Sequence, residues 1–289
     1  MNTIAETPVS PSTDPHPFDE AVAFGRTLSL EGPGRSEMVG ATSAAYANMV
    51  GPFGGITAAQ LLSGVLKAEE RRGVPVSITV NFLAPIEDGE FRLVVTRTRE
   101  NKSSQHWMVE LRQGAEQQLR ANATVITAVR RDVWQSTEIV MPAAPSPNGV
   151  PRVTRNVPLR WVERYDFRFV EGTAPFTSGA AESPSSRSLA WVRDEPPRPL
   201  DYASLVALAD SFFPRIFFRR AQRVPIGTVT MTTNFHCSEA DLAAVGTGHV
   251  LALANGQVFY GGYFEQTAQM WSEGGQCLAT SHQLVYYRE

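Results

Sequence analysis

The stretch GPFGGITAAQLLSGVLKAEERRGVPVSITVNF, residues 51–82, changes its hydrophobic period once along its length. In its first part Ile56, Ala59, Leu62, Val65 and Leu66 fall on one face of a helix, and residues 69–72 form a charged last turn before Gly73. After Gly73 the period becomes two, with Val76, Ile78, Val80 and Phe82 on one side and Ser77, Thr79 and Asn81 on the other. The order helix, turn, strand recurs in YASLVALADSFFPRIFFRRAQRVPIGTVTMTTNF, residues 202–235. Aligning Pro75 on Pro225 gives an offset of 150, and aligning Asn81-Phe82 on Asn234-Phe235 gives 153.

Working outward, strand-like segments follow the first unit at 90–99, 105–113 and 118–129. The second unit is followed by segments at 250–254, 258–267 and 276–288, its own strand running over 228–235. Each half therefore reads as one long helix leading into an antiparallel meander, an α+β unit whose sheet buries one face on that helix. The expected division is a disordered tail over 1–20, a first unit over 21–131, a Pro-rich linker over 132–157 and a second unit over 158–289.

Composition narrows the function. The chain has 289 residues, 43% hydrophobic and 19% charged, with a formal charge of −3, so nucleic acid and anionic membranes are not expected as main partners. No apolar run reaches the roughly 20 residues of a membrane span, and the first 20 residues lack the pattern of a signal peptide. A cytoplasmic location follows, with Cys237 and Cys277 expected as reduced, buried thiols, although one bridge between them is open. The five histidines show no metal-ligand spacing, so no metal is expected. Gly-x-Ser-x-Gly and the nucleotide-binding glycine motifs are absent, which removes the usual serine-hydrolase elbow and any nucleotide cofactor.

Several residues stand out on chemical grounds. Asp210 lies among Leu205, Val206, Ala207, Leu208, Ala209, Phe212 and Phe213, so its carboxylate is either partly buried and functional or on the polar stripe of an amphipathic helix. Pro214 has no amide for the carbonyl of residue 210, so the helix should kink or loosen there; Gly64 weakens the first helix at the matching position. Thr228, Thr230 and Thr232 share one face of a strand by simple alternation. Gly54-Gly55 opens the first helix, where unpaired amides and absent side chains suit a substrate carbonyl as well as a tight turn. Arg219, Arg220 and Arg223 are either phosphate ligands or the solvated end of a helix.

The doubled order resembles the hotdog fold, and the chain as a whole resembles the acyl-CoA thioesterase II family of double-hotdog proteins over roughly residues 22–288. The resemblance is carried by Phe53-Gly54-Gly55 with Gln60-Leu61 and by the linker MPAAPSPNGVP at 141–151. Three further passages add to it: ADSFFP at 209–214, IGTV at 226–229 and ATSHQ at 279–283. It implies a fold of two fused hotdog units and cofactor-free hydrolysis of acyl-CoA to a fatty acid and coenzyme A. It further implies that Asp210, Gln283 and a strand hydroxyl, Thr228 with Thr230 as the alternative, bind the attacking water, with Gly54, Gly55 and Thr230 as further substrate or oxyanion contacts and a homo-oligomeric assembly. Where the family often has Asp-His after the threonine, this chain has Thr230 and Met231. A hotdog hydratase or dehydratase, a carrier-protein thioesterase and a non-catalytic acyl-CoA-binding module are the alternatives.

Overall fold

The computed structural model describes residues 14–29, 32, 34–153, 159–172, 182–220 and 222–289. In the first half the strands are β1 (Arg26–Ser29), β2 (Arg35–Ala41), β3 (Val74–Phe82), β4 (Glu90–Glu100), β5 (Ser104–Gln113) and β6 (Gln118–Ala128). The second half adds β7 (Tyr165–Glu171), β8 (Ser188–Asp194), β9 (Ile226–Phe235), β10 (Val250–Tyr260), β11 (Tyr263–Trp271) and β12 (Cys277–Tyr287). The helices are α1 (Pro17–Ala21), α2 (Gly54–Leu66), α3 (Tyr202–Leu208), α4 (Arg215–Arg220) and α5 (Glu239–Val245). All strand pairings are antiparallel, in the order β1-β2-β4-β5-β6-β3-β9-β12-β11-β10-β8-β7. This is a double hotdog of the α+β class.

The strand order reads the same from either end, and the seam between the halves is β3 against β9. Ser77 faces Asn234 and Asn81 faces Thr230. A shift of 153 residues turns the first pair into the second, so the offset read from the Asn-Phe pairs is the one that relates the two units. Thr79 and Thr232 face each other on the pseudo-two-fold, their hydroxyls 3.0 Å apart.

Residues Gly55 to Val65 of α2 are all buried, because the curved sheet and α3 surround the helix. A helix so enclosed must be apolar nearly all round. Its one amide, Gln60, donates from Nε2 to the carbonyls of Ala21 and Ala41 at 2.8 and 3.2 Å. The meander strands bury their alternate residues against this core. In β5 the sequence SQHWMVELRQ alternates half-buried and buried without a break.

Four features differ from the sequence reading. The second half has no single long helix: α3 stops at Leu208, the chain turns, and α4 begins at Arg215. Pro214 is the cause on one side, since it cannot donate into a continuing helix. Secondly, β10 runs on to Tyr260 and β11 starts only at Tyr263. Gly261 and Gly262, with φ of 59° and 80°, supply the two positive-φ positions that a tight hairpin needs. Thirdly, β1, β2, β7 and β8 extend the sheet beyond the meander at both of its ends.

The fourth concerns the chain's first residues and its middle. Of the tail expected over 1–20, residues 1–13 lie outside the described residues, while Pro17–Ala21 form α1 with Phe18 fully buried. Within the Pro-rich stretch, residues 154–158 lie outside the described residues. Met141, Ala144 and Val150 of that stretch pack against Trp191, Leu251 and Trp271, and Trp191 Nε1 donates to the Pro145 carbonyl at 2.9 Å. Cys237 and Cys277 are free and buried, and burial pushes their thiols up to about 12 and about 11.

Candidate active site

Asp210 stands in the turn between α3 and α4 rather than within a helix. Its own amide bonds the Ala207 carbonyl at 3.1 Å, and Ser211 bonds the Leu208 carbonyl through both its amide (3.0 Å) and its hydroxyl (2.8 Å). These short-range bonds wind the end of α3 tightly and turn Asp210 toward the first half. There it meets the N-terminus of α2. The Gly55 amide donates to the Asp210 carboxyl, and a Cβ on Gly54 would lie only 2.7 Å from Asp210 Oδ2. Glycine at 54 is thus what lets the carboxyl approach the positive end of α2.

Gln283 reaches the same carboxyl from the sheet. Its Nε2 donates to Asp210 Oδ1 at 3.0 Å and to the Ala209 carbonyl at 3.2 Å, and lies 3.4 Å from Met231 Sδ. The Gln283 residue is buried, 3% exposed, so its amide cannot be satisfied by bulk water and is fixed by these partners. Burial pushes Asp210 up to about 7, against the opposing pull of the Gln283 and Gly55 hydrogen bonds. Part of the residue's surface nevertheless remains open. A carboxyl poised near neutrality, partly accessible and held by two donors, can exchange a proton at the pH where a cell works.

Thr228 and Thr230 are separated by an irregularity that alternation does not foresee. Leu284 faces Thr230, but the next residue, Val285, faces Thr228, leaving Val229 as an extra residue in β9. A bulge of this kind reverses which residues face inward. Facing residues of a ladder share a side, so Thr228 lies with Val285 and Gln283 on the inner face, and Thr230 lies with Leu284 and Asn81 on the outer one. The structure therefore corrects the expectation that Thr228, Thr230 and Thr232 share a face, and it places Thr230 on the side of the sheet away from Asp210. Thr228 sits diagonally across from Gln283, a separation of about 7–8 Å between backbones.

The first half repeats the bulge without the chemistry. Pro75 faces Thr127 and Ser77 faces Ile126, with Val76 as the extra residue. Under the 153-residue shift Thr228 corresponds to Pro75. Gln283, which faces Met231, corresponds to Val125, which faces Ile78. Neither first-half position carries a hydroxyl or an amide.

Aromatic rings close the site on the α2 side. Phe53 stacks on Trp161 at 4.3 Å, and Trp161 meets Tyr165 at 6.2 Å and Phe213 at 5.8 Å. Burial raises the Tyr165 hydroxyl well above its ordinary range, and the nearby Asp210 charge adds to that. Trp161 and Tyr165 were not singled out from sequence. The alternation of Tyr165, Phe167 and Phe169 in β7 was the available signal. Arg219 and Arg220 are engaged elsewhere: Arg219 donates to the Ser183 carbonyl, and Arg220 pairs with Glu182 at 3.2 Å and Glu289 at 2.6 Å. A cavity of about 590 Å³ lies apart from all these residues, lined by Gly25, Arg26, Phe91, Arg92 and Arg112 among others.

Comparison with known proteins bears on both halves. A family model described as the acyl-CoA thioesterase C-terminal domain matches residues 140–287, and one described as the N-terminal domain matches residues 43–129. No curated protein matches the chain. A crystal structure from Alicyclobacillus acidocaldarius, described as a conserved protein of unknown function with a hot dog fold, shares 39% identity. It covers 96% of this chain and 99% of its own, at a TM-score of 0.87. An acyl-CoA thioesterase II, TesB2, from Mycobacterium marinum is 19% identical, covering 94% and 98% at a TM-score of 0.70. The dehydratase domain of PpsC from Mycobacterium tuberculosis is 12% identical, covering 95% and 100% at a TM-score of 0.54. The last two likenesses speak for the fold alone.

Proposed function

The chain belongs to the acyl-CoA thioesterase family, and from that premise we propose that it hydrolyses acyl-CoA to a carboxylic acid and free coenzyme A with Asp210 as the base. The observation that supports this most is the Asp210 carboxyl itself, raised by burial to about 7 and held between the Gly55 amide and the Gln283 side chain. A positioned base of this strength is matched to a neutral working pH.

In this reading the attacking water lies between Asp210, the Gln283 Oε1 left over from its amide contacts, and the Thr228 hydroxyl. Asp210 takes one proton as the water oxygen bonds to the thioester carbonyl carbon. The oxyanion is met by first-turn amides of α2, with Gly54 best placed because the Gly55 amide already serves Asp210. Collapse of the tetrahedral intermediate breaks the carbon–sulfur bond, and the proton on Asp210 passes to the departing sulfur. Thr230 has no part in these steps. Positioning accounts for most of the rate, since a thioester needs only an aligned water and a base.

A dehydratase of this fold would ask for a histidine beside the acid. His236, His249 and His282 are instead hydrogen-bonded to Thr280, Asp166 and Glu265. Thiol release measured over C2 to C18 acyl-CoAs, alongside hydration of crotonyl-CoA, tests the proposal. Release of thiol from at least one acyl-CoA without hydration is expected; hydration without thiol release overturns it.

A further inference from the structure

Arg215, the first residue of α4, is 1% exposed, and among the described residues it has no carboxylate partner. Its acceptors are all neutral. Nε donates to the Phe213 carbonyl at 2.9 Å and one terminal nitrogen donates to the same oxygen. The other terminal nitrogen donates to the Ser186 carbonyl at 3.0 Å and the Ser188 hydroxyl at 2.7 Å, and reaches the Ala254 carbonyl at 3.5 Å. The Phe218 ring covers the guanidinium at 4.2 Å. Gly256, whose absent side chain would sit 3.0 Å from Arg215 Cβ, makes room for it where β10 departs from regular pairing. A buried cation with no counter-charge is costly to keep, and burial pushes this one down to about 9. Apolar packing would close the same space without that cost.

Its position suggests what it does. The turn carrying Asp210 is tied to α3 on its N-terminal side by the Ala207 and Leu208 bonds. On its C-terminal side Pro214 has no amide to bond the Asp210 carbonyl, and the chain is next held by the Phe217 amide donating to the Pro214 carbonyl at 3.0 Å. The Phe213 carbonyl, taken twice by Arg215, is the point at which that side is fastened to β8 and β10. We propose that Arg215 is a positioning residue for Asp210, a buried clamp on the Phe213 carbonyl that fixes the turn in which the base stands where Pro214 leaves the Asp210 carbonyl without its helical bond. The proposal rests on Asp210 being the catalytic base.

The test compares the full-length wild type with Arg215→Met and Arg215→Lys, and with Ser188→Ala, which removes one acceptor only. The readouts are kcat, KM, thermal midpoint and the carboxyl titration of Asp210 followed by carbon NMR of labelled aspartate. Arg215→Met is expected to lower kcat by about 10- to 100-fold with KM changed less than about threefold, the cost of a small misplacement. The Asp210 titration should move from about 7 toward the ordinary carboxylate range as the turn opens to water. Arg215→Lys should recover part of both, and Ser188→Ala should lower kcat by about threefold. Folded Arg215→Met with wild-type kcat and titration overturns the proposal. Should that variant fail to fold, unchanged kcat and titration in both Arg215→Lys and Ser188→Ala overturn it equally. The titration needs no substrate, so a wild type inactive on acyl-CoA would refute the functional reading and still leave the clamp tested.

Discussion

Replacing Gln283 with Met removes the one side-chain donor to Asp210 among the described residues while keeping length and burial. A hydrogen bond to a charged group contributes about 1.5–3 kcal/mol, and one pH unit corresponds to about 1.4 kcal/mol. The bond at 3.0 Å favours the ionised carboxylate, so its loss raises Asp210 further, by about one to two units from about 7. The base works deprotonated, so kcat should rise with pH and level off, with the midpoint near 7 in the wild type and near 8 to 9 in the variant. At pH 7 the ionised fraction falls from about a half to between about 1 and 10%, lowering kcat by about 5- to 50-fold before any loss of water positioning. The assay is initial-rate thiol release between pH 5 and 10 at saturating acyl-CoA. The plateau reports positioning and the midpoint reports the hydrogen bond. A midpoint that stays put or moves down refutes the claim that Gln283 tunes the base.

The other predictions follow from the same contacts. Gly54→Ala puts a methyl 2.7 Å from Asp210 Oδ2 and should lower kcat by about 10- to 100-fold, checked by steady-state kinetics beside a thermal melt. Thr228→Val should lower kcat by about tenfold or more while Thr230→Val stays within about twofold, since the bulge at Val229 sends only Thr228 inward. Asp210→Asn should stabilise the protein at high pH. The folded carboxyl lies above its unfolded value of 3.8, so the native state binds the extra proton, and stability is lost as pH rises from about 4 through about 7. The variant lacks that loss, worth up to about 4 kcal/mol on a shift of about three units, and should unfold at a higher temperature than the wild type at pH 8 but not at pH 4.

What the sequence made legible, and what it hid, divides along physical lines. The apolar stripe of α2, the alternation of β3 to β6 and the repeat offset sufficed for two α+β units, each a helix leading into a meander, while the double hotdog came with the family resemblance. Asp210 stood out because a carboxylate in an apolar run is costly wherever the run is buried. The end of α3 at Leu208 was hidden because the apolar run continues past it through Ala209, Phe212 and Phe213; Pro214 marked that a break lay near. β8 escaped because SLAWVRD is buried almost throughout, its outer face covered at Trp191 by the Pro-rich stretch, so it shows no alternation. The inward turn of Thr228 depends on Val229 having no partner across the ladder, a property of register that one strand alone does not display. The meeting of Gly54 with Asp210 joins residues more than 150 positions apart, and no local pattern displays it.

The most direct measurement is the rate of thiol release by wild type and Asp210→Asn on the best acyl-CoA of a C2 to C18 series, with both proteins shown to be folded at the assay pH. A loss of about 10²- to 10⁴-fold is predicted, the usual worth of a positioned base. A folded Asp210→Asn protein that turns over at the wild-type rate contradicts the account.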